Sequence, residues 1–391
     1  MHTFLKILVL LIISTSVYGQ IEHDFVYYNN ETYKLYTEKN WKDLIPLAKE
    51  GIEKGHDFYY MRMRLGIAYY ELGKYIPAKK QFEKALDFYP SSPDAKSYLH
   101  YSYLYLGRNQ EARAFYNISD EKPKFVRSIY FEPGMKLSNE RSSTRNMKYI
   151  FLGLNHEFGH RVSLFHGYQR LGADFVTTLT DNNGPGPGGP SSTEYKYSVF
   201  QNEYYGALTI IPAKGFYITP AYHFQDVNVE GYHGKNRVFS IQIAKWLCRI
   251  KLYGNYYTSH INELSQQQYE GGIVYFPFGT TNLYMQSQVT VHNEEQQNNT
   301  VLFNKLGVKL FPKTWIEGFG SYGAMLNYSE LNGYVVYNQL DEIKSKYGFS
   351  INQYIGKHLL FFNYTHENKE EYNTGIPFVH HDFILGINLT F

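Results

Sequence analysis

Five residues near the middle of the chain, His156-Glu157-Phe158-Gly159-His160, have types and spacing that could hold a catalytic metal. In an H-E-x-x-H site both histidines face one zinc ion from successive turns of a helix, and the glutamate acts as general base. That chemistry needs a helix. The residues leading in alternate instead, with Ile150, Leu152, Leu154 and Phe158 on one side of an extended chain. On such a strand His156 joins that outward row near its boundary, Glu157 points the opposite way, and His160 falls in the following turn. Three groups so placed cannot surround one ion, and no metal or cofactor is assigned.

The pair His380-His381, among fifteen histidines in all, offers a second opening for metal or Ser-His chemistry. Neither a strained nucleophile turn nor a clustered acid–base pair accompanies it, so these residues read as wall or loop positions and no catalytic residue is assigned. The sole cysteine, Cys248, excludes an internal disulfide and a cysteine-based zinc cluster. A net charge of +2 gives no reason to expect nucleic acid. The unusual feature is 40 Tyr and 27 Phe in a chain of negative mean hydropathy, which calls for many half-buried faces.

The start, Met1 to Lys6 followed by an apolar run from Ile7 to Ile13 and an exit at Val17 and Gly19, has the form of a secretory signal peptide over residues 1–19. No Cys follows the run, so no lipid anchor is expected, and no later stretch is long enough for a spanning helix. Residues 20–120 then carry a helical period. Leu65, Gly66, Tyr69, Ala78, Phe82, Ala85 and Pro90 match the tetratricopeptide skeleton, in which small residues let two helices approach and aromatics fill the seam. Moving 34 residues on gives a fair copy at Leu99, Tyr103 and Ala112; moving 34 back gives a weak one at Leu44, Ala48 and Gly51.

Beyond Pro123 the period becomes two, over residues 125–391. The last segment puts Phe383, Leu385, Ile387, Leu389 and Phe391 on one face and polar or small residues on the other. Tight connections, such as Ile211 to Gly215 and Phe311 to Thr314, alternate with long polar ones, Val176 to Thr193 and Tyr328 to Lys344. That alternation, aromatics gathered near strand ends and a final Phe391 favour a transmembrane barrel over a soluble sandwich. The expected fold is therefore α+β: helical tetratricopeptide-like repeats, then an antiparallel transmembrane β-barrel of about fourteen strands, with twelve as the alternative. Glu203, Arg249, Lys251, Glu270, Lys305, Lys309 and Glu317 are predicted to face its lumen. An even strand count places the repeats in the periplasm.

Leader, short repeat region, tyrosine-rich barrel and terminal Phe391 together resemble the YaiO-like outer-membrane β-barrel family. The order of repeats then barrel is also similar to that of outer-membrane exopolysaccharide exporters, which carry more repeats. The resemblance implies an outer-membrane protein in contact with outer-membrane lipid and with the barrel assembly machinery, which would read Phe391. It further implies an unknown periplasmic protein docked through the repeats, and a role in surface polysaccharide handling or transport. A barrel-embedded lipid- or glycan-modifying enzyme and a surface adhesin or receptor are the competing functions.

Overall fold

A computed structural model describes residues 24–115, 125–138, 144–181, 191–230, 232–294, 297–339, 341–372 and 374–391; the expected signal peptide over residues 1–19 lies outside these. The described chain forms two compact units that divide between Tyr103 and Leu104.

The first unit is helical, and its period is regular. Helices α1 (Phe25–Thr37), α3 (Tyr59–Glu71) and α5 (Pro93–Tyr105) start 34 residues apart. So do α2 (Trp41–Glu53), α4 (Tyr75–Phe88) and the short α6 (Asn109–Arg113), the last of which falls in the second unit. The turn inside each hairpin repeats as well, with Lys39, Gly73 and Gly107 all at positive φ. The weak first repeat is therefore complete in three dimensions, even though a lysine holds the position where glycine is cheapest. Leu65, Ala78, Phe82 and Ala85 are buried, as is Tyr69, whereas Pro90 is exposed just past α4. A Cβ on Gly66 would lie 2.6 Å from the Phe82 ring, so only glycine allows α3 and α4 this close. Phe82 stacks in turn on Tyr98 of the next repeat at 4.9 Å.

The second unit is a closed antiparallel barrel of fourteen strands, β1 to β11 and β14 to β16, in which β1 (Val126–Ser138) closes on β16 (Pro377–Thr390). The twelve-strand alternative fails because β1 and its partner are genuine wall strands, paired from Ser128↔Thr390 to Ser138↔His380. Along each strand the outward residues are apolar and exposed, as with Ile150, Leu152, Phe239, Ile243, Met285 and Leu385, and the inward ones are polar and buried, as with Gln201, Gln225 and Asn255. No helix among the described residues is long and apolar enough to cross a membrane.

The connections differ from the sequence reading. At the proximal end, which holds Val126 and Thr390, most are tight. At the distal end several are equally tight, including 230–231 and 262–263. Within the expected loop from Val176 to Thr193, residues 176–181 and 191–193 are sheet, because β3 (Val162–Asp181) and β4 (Ser191–Ala213) continue pairing as far as Asp181 and Ser191. Its threonines and valine favour extended chain over loop. The Gly184 to Gly189 run lies outside the described residues. The other long connection does not extend outward at all.

Candidate functional site: the hairpin in the barrel lumen

Between β11 (Thr314–Met325) and β14 (Glu342–Ile355), the chain turns back into the barrel as a two-stranded hairpin of β12 (Tyr328–Glu330) and β13 (Val335–Tyr337). Its sequence explains why. Tyr328, Val335, Val336 and Tyr337 are too apolar to remain in water, and Asn332-Gly333 is a tight-turn signal. At the tip Leu331, Asn332 and Gly333 have φ of 52°, 58° and 81°. Asparagine and glycine tolerate that region; leucine does so at roughly 1–2 kcal/mol. Such strain persists only where the surroundings fix the turn.

The barrel wall does fix it. The Asn332 carbonyl accepts from Ser240 Oγ at 2.8 Å and from the Tyr205 hydroxyl at 3.3 Å. Its backbone N–H donates to the Tyr257 hydroxyl, and its side-chain amide donates to the Thr219 carbonyl at 3.1 Å. Along β12, the Gln268 amide donates to the Ser329 carbonyl at 3.0 Å and accepts from the Ser329 N–H at 2.8 Å, replacing a neighbouring strand. Toward the distal end Lys346 reaches Glu330 and the Tyr337 hydroxyl, Lys369 reaches Gln339, and Asn338 donates to Gln201 at 2.7 Å. Apolar contacts are local: Tyr328 and Tyr337 with Val301, Met325 and Ile343, and Val336 with Val238, Tyr257 and Ile261.

His223 links the hairpin to the deepest polar network. Its Nδ1 lies 2.7 Å from the Gly333 carbonyl and its Nε2 2.7 Å from Glu203. Glu203 also accepts from the amides of Gln169, Gln201 and Gln225. Both His223 nitrogens thus face acceptors, one on the hairpin and one on the wall.

The sequence-predicted lumen residues are placed as follows. Glu203 and Glu270 are buried in the lumen, Glu270 accepting from Asn255 and from Tyr257 at 3.0 Å. Lys305 and Glu317 pair at 3.0 Å, and Lys309 lies 4.8 Å over the Trp315 ring. Lys251 is on the inward side of β7 (Ile250–Ile261). Arg249 is not in the lumen. It is exposed in the turn before β7 and donates to the Pro277 carbonyl at 2.9 Å, because the strand begins one residue too late to carry it inside. Sequence reasoning missed the inward ions Lys136, Lys346, Lys369 and Glu367, of which Lys136 and Glu367 pair at 2.9 Å. The period-two pattern that located the others would have found them.

The histidines separate as the strands dictate. His156 is on the outward row of β2 (Thr144–Phe158), 4.7 Å from the Phe125 ring and 3.1 Å from His166. Glu157 points inward beside Arg127, and His160 is exposed in the turn. His380 is buried inward near Glu367, whereas His381 stacks outward on Tyr364. Among the described residues no group of three or more His, Cys, Asp or Glu is placed to hold a metal.

At the proximal mouth, α6 contributes a second closure within the barrel unit. Arg108 and Glu111 pair there, Tyr217 donates to Glu111, and the Arg108 guanidinium lies 5.7 Å over Trp246.

No family model and no curated protein matches the sequence. Solved structures similar to part of it include the MamA R50E mutant, 21% identical over 26% of this chain and 73% of that one, with a TM-score of 0.24. MamA from Desulfovibrio magneticus RS-1 is 16% identical over 25% and 55%, TM-score 0.24. The second TPR of Spaghetti (RPAP3), bound to an HSP90 peptide, is 18% identical over 25% and 92%, TM-score 0.24. Each likeness covers about a quarter of this chain, and the repeat assignment rests on the 34-residue spacing of its own helices.

Proposed function

We propose that the chain is a bacterial outer-membrane conduit, kept closed by its lumenal hairpin, with a periplasmic repeat region that docks a protein partner. The apolar outward face of the barrel supports the membrane placement, since only closed barrels and helices satisfy every backbone group in lipid. The repeats precede β1, whose first residue is at the proximal end, so that end is assigned to the periplasm. Handling of a surface polysaccharide, in the manner of a YaiO-like barrel, is the cargo this reading favours.

One observation carries the gating: the backbone of the hairpin tip at Asn332 and Gly333 is held by single hydrogen bonds to side chains of four different strands, at Tyr205, His223, Ser240 and Tyr257, with the aromatic packing beside it confined to Tyr334. Each is worth only about 1 kcal/mol net, so the set can be exchanged for water. The test is planar-bilayer conductance of the full chain against a variant in which residues 328–337 are replaced by a short Gly-Ser linker. The wild type should be mostly closed and the variant open. Equal conductance in both would defeat the gate.

A further inference from the structure

Below the hairpin tip, toward the proximal mouth, the lumen keeps a cavity of about 320 Å³. Its wall is built from the inward residues of β1, β2, β3, β4 and β16, and their chemistry is uniform. Tyr130 and Phe165 present aromatic rings 6.0 Å apart and nearly perpendicular, at 87°. Around them stand the amides of Asn155 and Asn388 and the hydroxyls of Ser163 and Thr209. No charged residue lines it. The nearest charges are already engaged: Glu132 accepts from Tyr149 at 2.9 Å, and Glu157 faces Arg127 at 3.7 Å.

One polar atom of this lining has no partner in the protein. Asn388 Oδ1 is buried and accepts nothing. The hydroxyl of Tyr334, on the hairpin itself, is likewise buried and unpaired, and the Tyr334 ring lies 6.3 Å from Phe165 and packs against the cluster of Tyr205, Ala207 and Ala221. Buried polar atoms cost roughly 1–3 kcal/mol when unsatisfied, so a donor for Asn388 belongs in the cavity.

The geometry points to a binding site for a neutral pyranose ring in the proximal lumen. A sugar ring offers what this wall lacks: C–H faces to lie on Tyr130 or Phe165, and hydroxyls that both donate to Asn388 Oδ1 and bond the hydroxyls and amides around it. Anions and cations find no counter-charge in a low-dielectric lining and are excluded by desolvation. The volume sits at the lower end of ligand pockets, roughly 300–1,000 Å³, which suits one or two rings. The inference rests on the conduit reading only for its biological setting; the site itself stands on the lining.

The test uses the full chain in a detergent without a sugar headgroup. Methyl pyranosides of glucose, galactose, mannose and N-acetylglucosamine are the neutral probes, with glucuronate as the charged comparison, read by saturation-transfer NMR. At least one neutral probe should bind at least tenfold more tightly than glucuronate. Thr209→Val, which keeps shape and removes a hydroxyl, should weaken it, and Phe165→Ala should weaken it about tenfold or more, the loss of a stacking contact worth about 1.4 kcal/mol. Heat-modifiable migration on gels verifies that each variant still forms a barrel. Absence of any neutral-probe signal in the wild type, an equal signal from glucuronate, or undiminished binding in folded Phe165→Ala and Thr209→Val would each overturn the site. Sugar binding in a chain whose hairpin deletion leaves conductance unchanged would keep the site and remove the gate.

Discussion

His223 shows how a single side chain joins two layers of the lumen. Replacing it with alanine leaves the Gly333 carbonyl without its partner, at a cost of about 1–3 kcal/mol, and takes from Glu203 one contact while Gln225 remains on the same oxygen. His223→Ala should therefore raise the open fraction in bilayers several-fold while barrel folding, followed by heat-modifiable migration, is retained. An unchanged open fraction would mean that the tip is held by the remaining contacts alone. At the same scale, the H-E-x-x-H pattern illustrates why residue order is not geometry. With His156 outward and Glu157 inward, His156→Ala and His160→Ala should leave the zinc content of the purified protein unchanged. Stoichiometric zinc that disappears in both variants would contradict the strand.

Among the elements, the strands and helices were legible because each carries its own period. Alternation of Ile150, Leu152 and Leu154 against Tyr149, Phe151 and Gly153 survives folding, since a strand's two faces meet different solvents. The spacing from Leu65 to Pro90 found one repeat, and the neighbouring copies, with their polar substitutions, share its helix starts. What the sequence could not supply was the destination of the connections. Residues 328–337 carry an ordinary hairpin signal around Asn332-Gly333, but whether a hairpin stands outside or folds inward depends on wall partners such as Tyr205, Gln268 and Lys346, which come from separate strands. Arg249 failed for the local reason that the strand begins one residue late. Close packing gives the helical unit its own test. Gly66→Val forces a branched side chain where a Cβ already meets Phe82 at 2.6 Å, so it should cost about 1–3 kcal/mol and lower the thermal midpoint of the helical signal by several degrees. An unshifted midpoint would mean that α3 and α4 separate without penalty.

For the molecule as a whole, barrel closure and lumen closure are separate matters. Closure of the wall depends on β1 and β16, where the Phe391 N–H donates to the Arg127 carbonyl at 2.9 Å and Arg127 returns a bond to the Phe391 carbonyl at 2.8 Å. Phe391→Asp should reduce the heat-modifiable species in outer-membrane fractions, and wild-type levels would count against its role in assembly. Closure of the lumen depends on the hairpin, and here the geometry allows a reversible lock. A Cβ built at Gly333 lies 3.8 Å from the Ser240 Cβ, about the 3.8 Å mean separation found across disulfides. The most direct measurement is therefore single-channel conductance of Gly333→Cys/Ser240→Cys in a Cys248→Ser background, recorded oxidised and then after reduction under a steady voltage. Oxidation should abolish openings and reduction should restore them; openings of equal frequency and size in both states would contradict a hairpin gate.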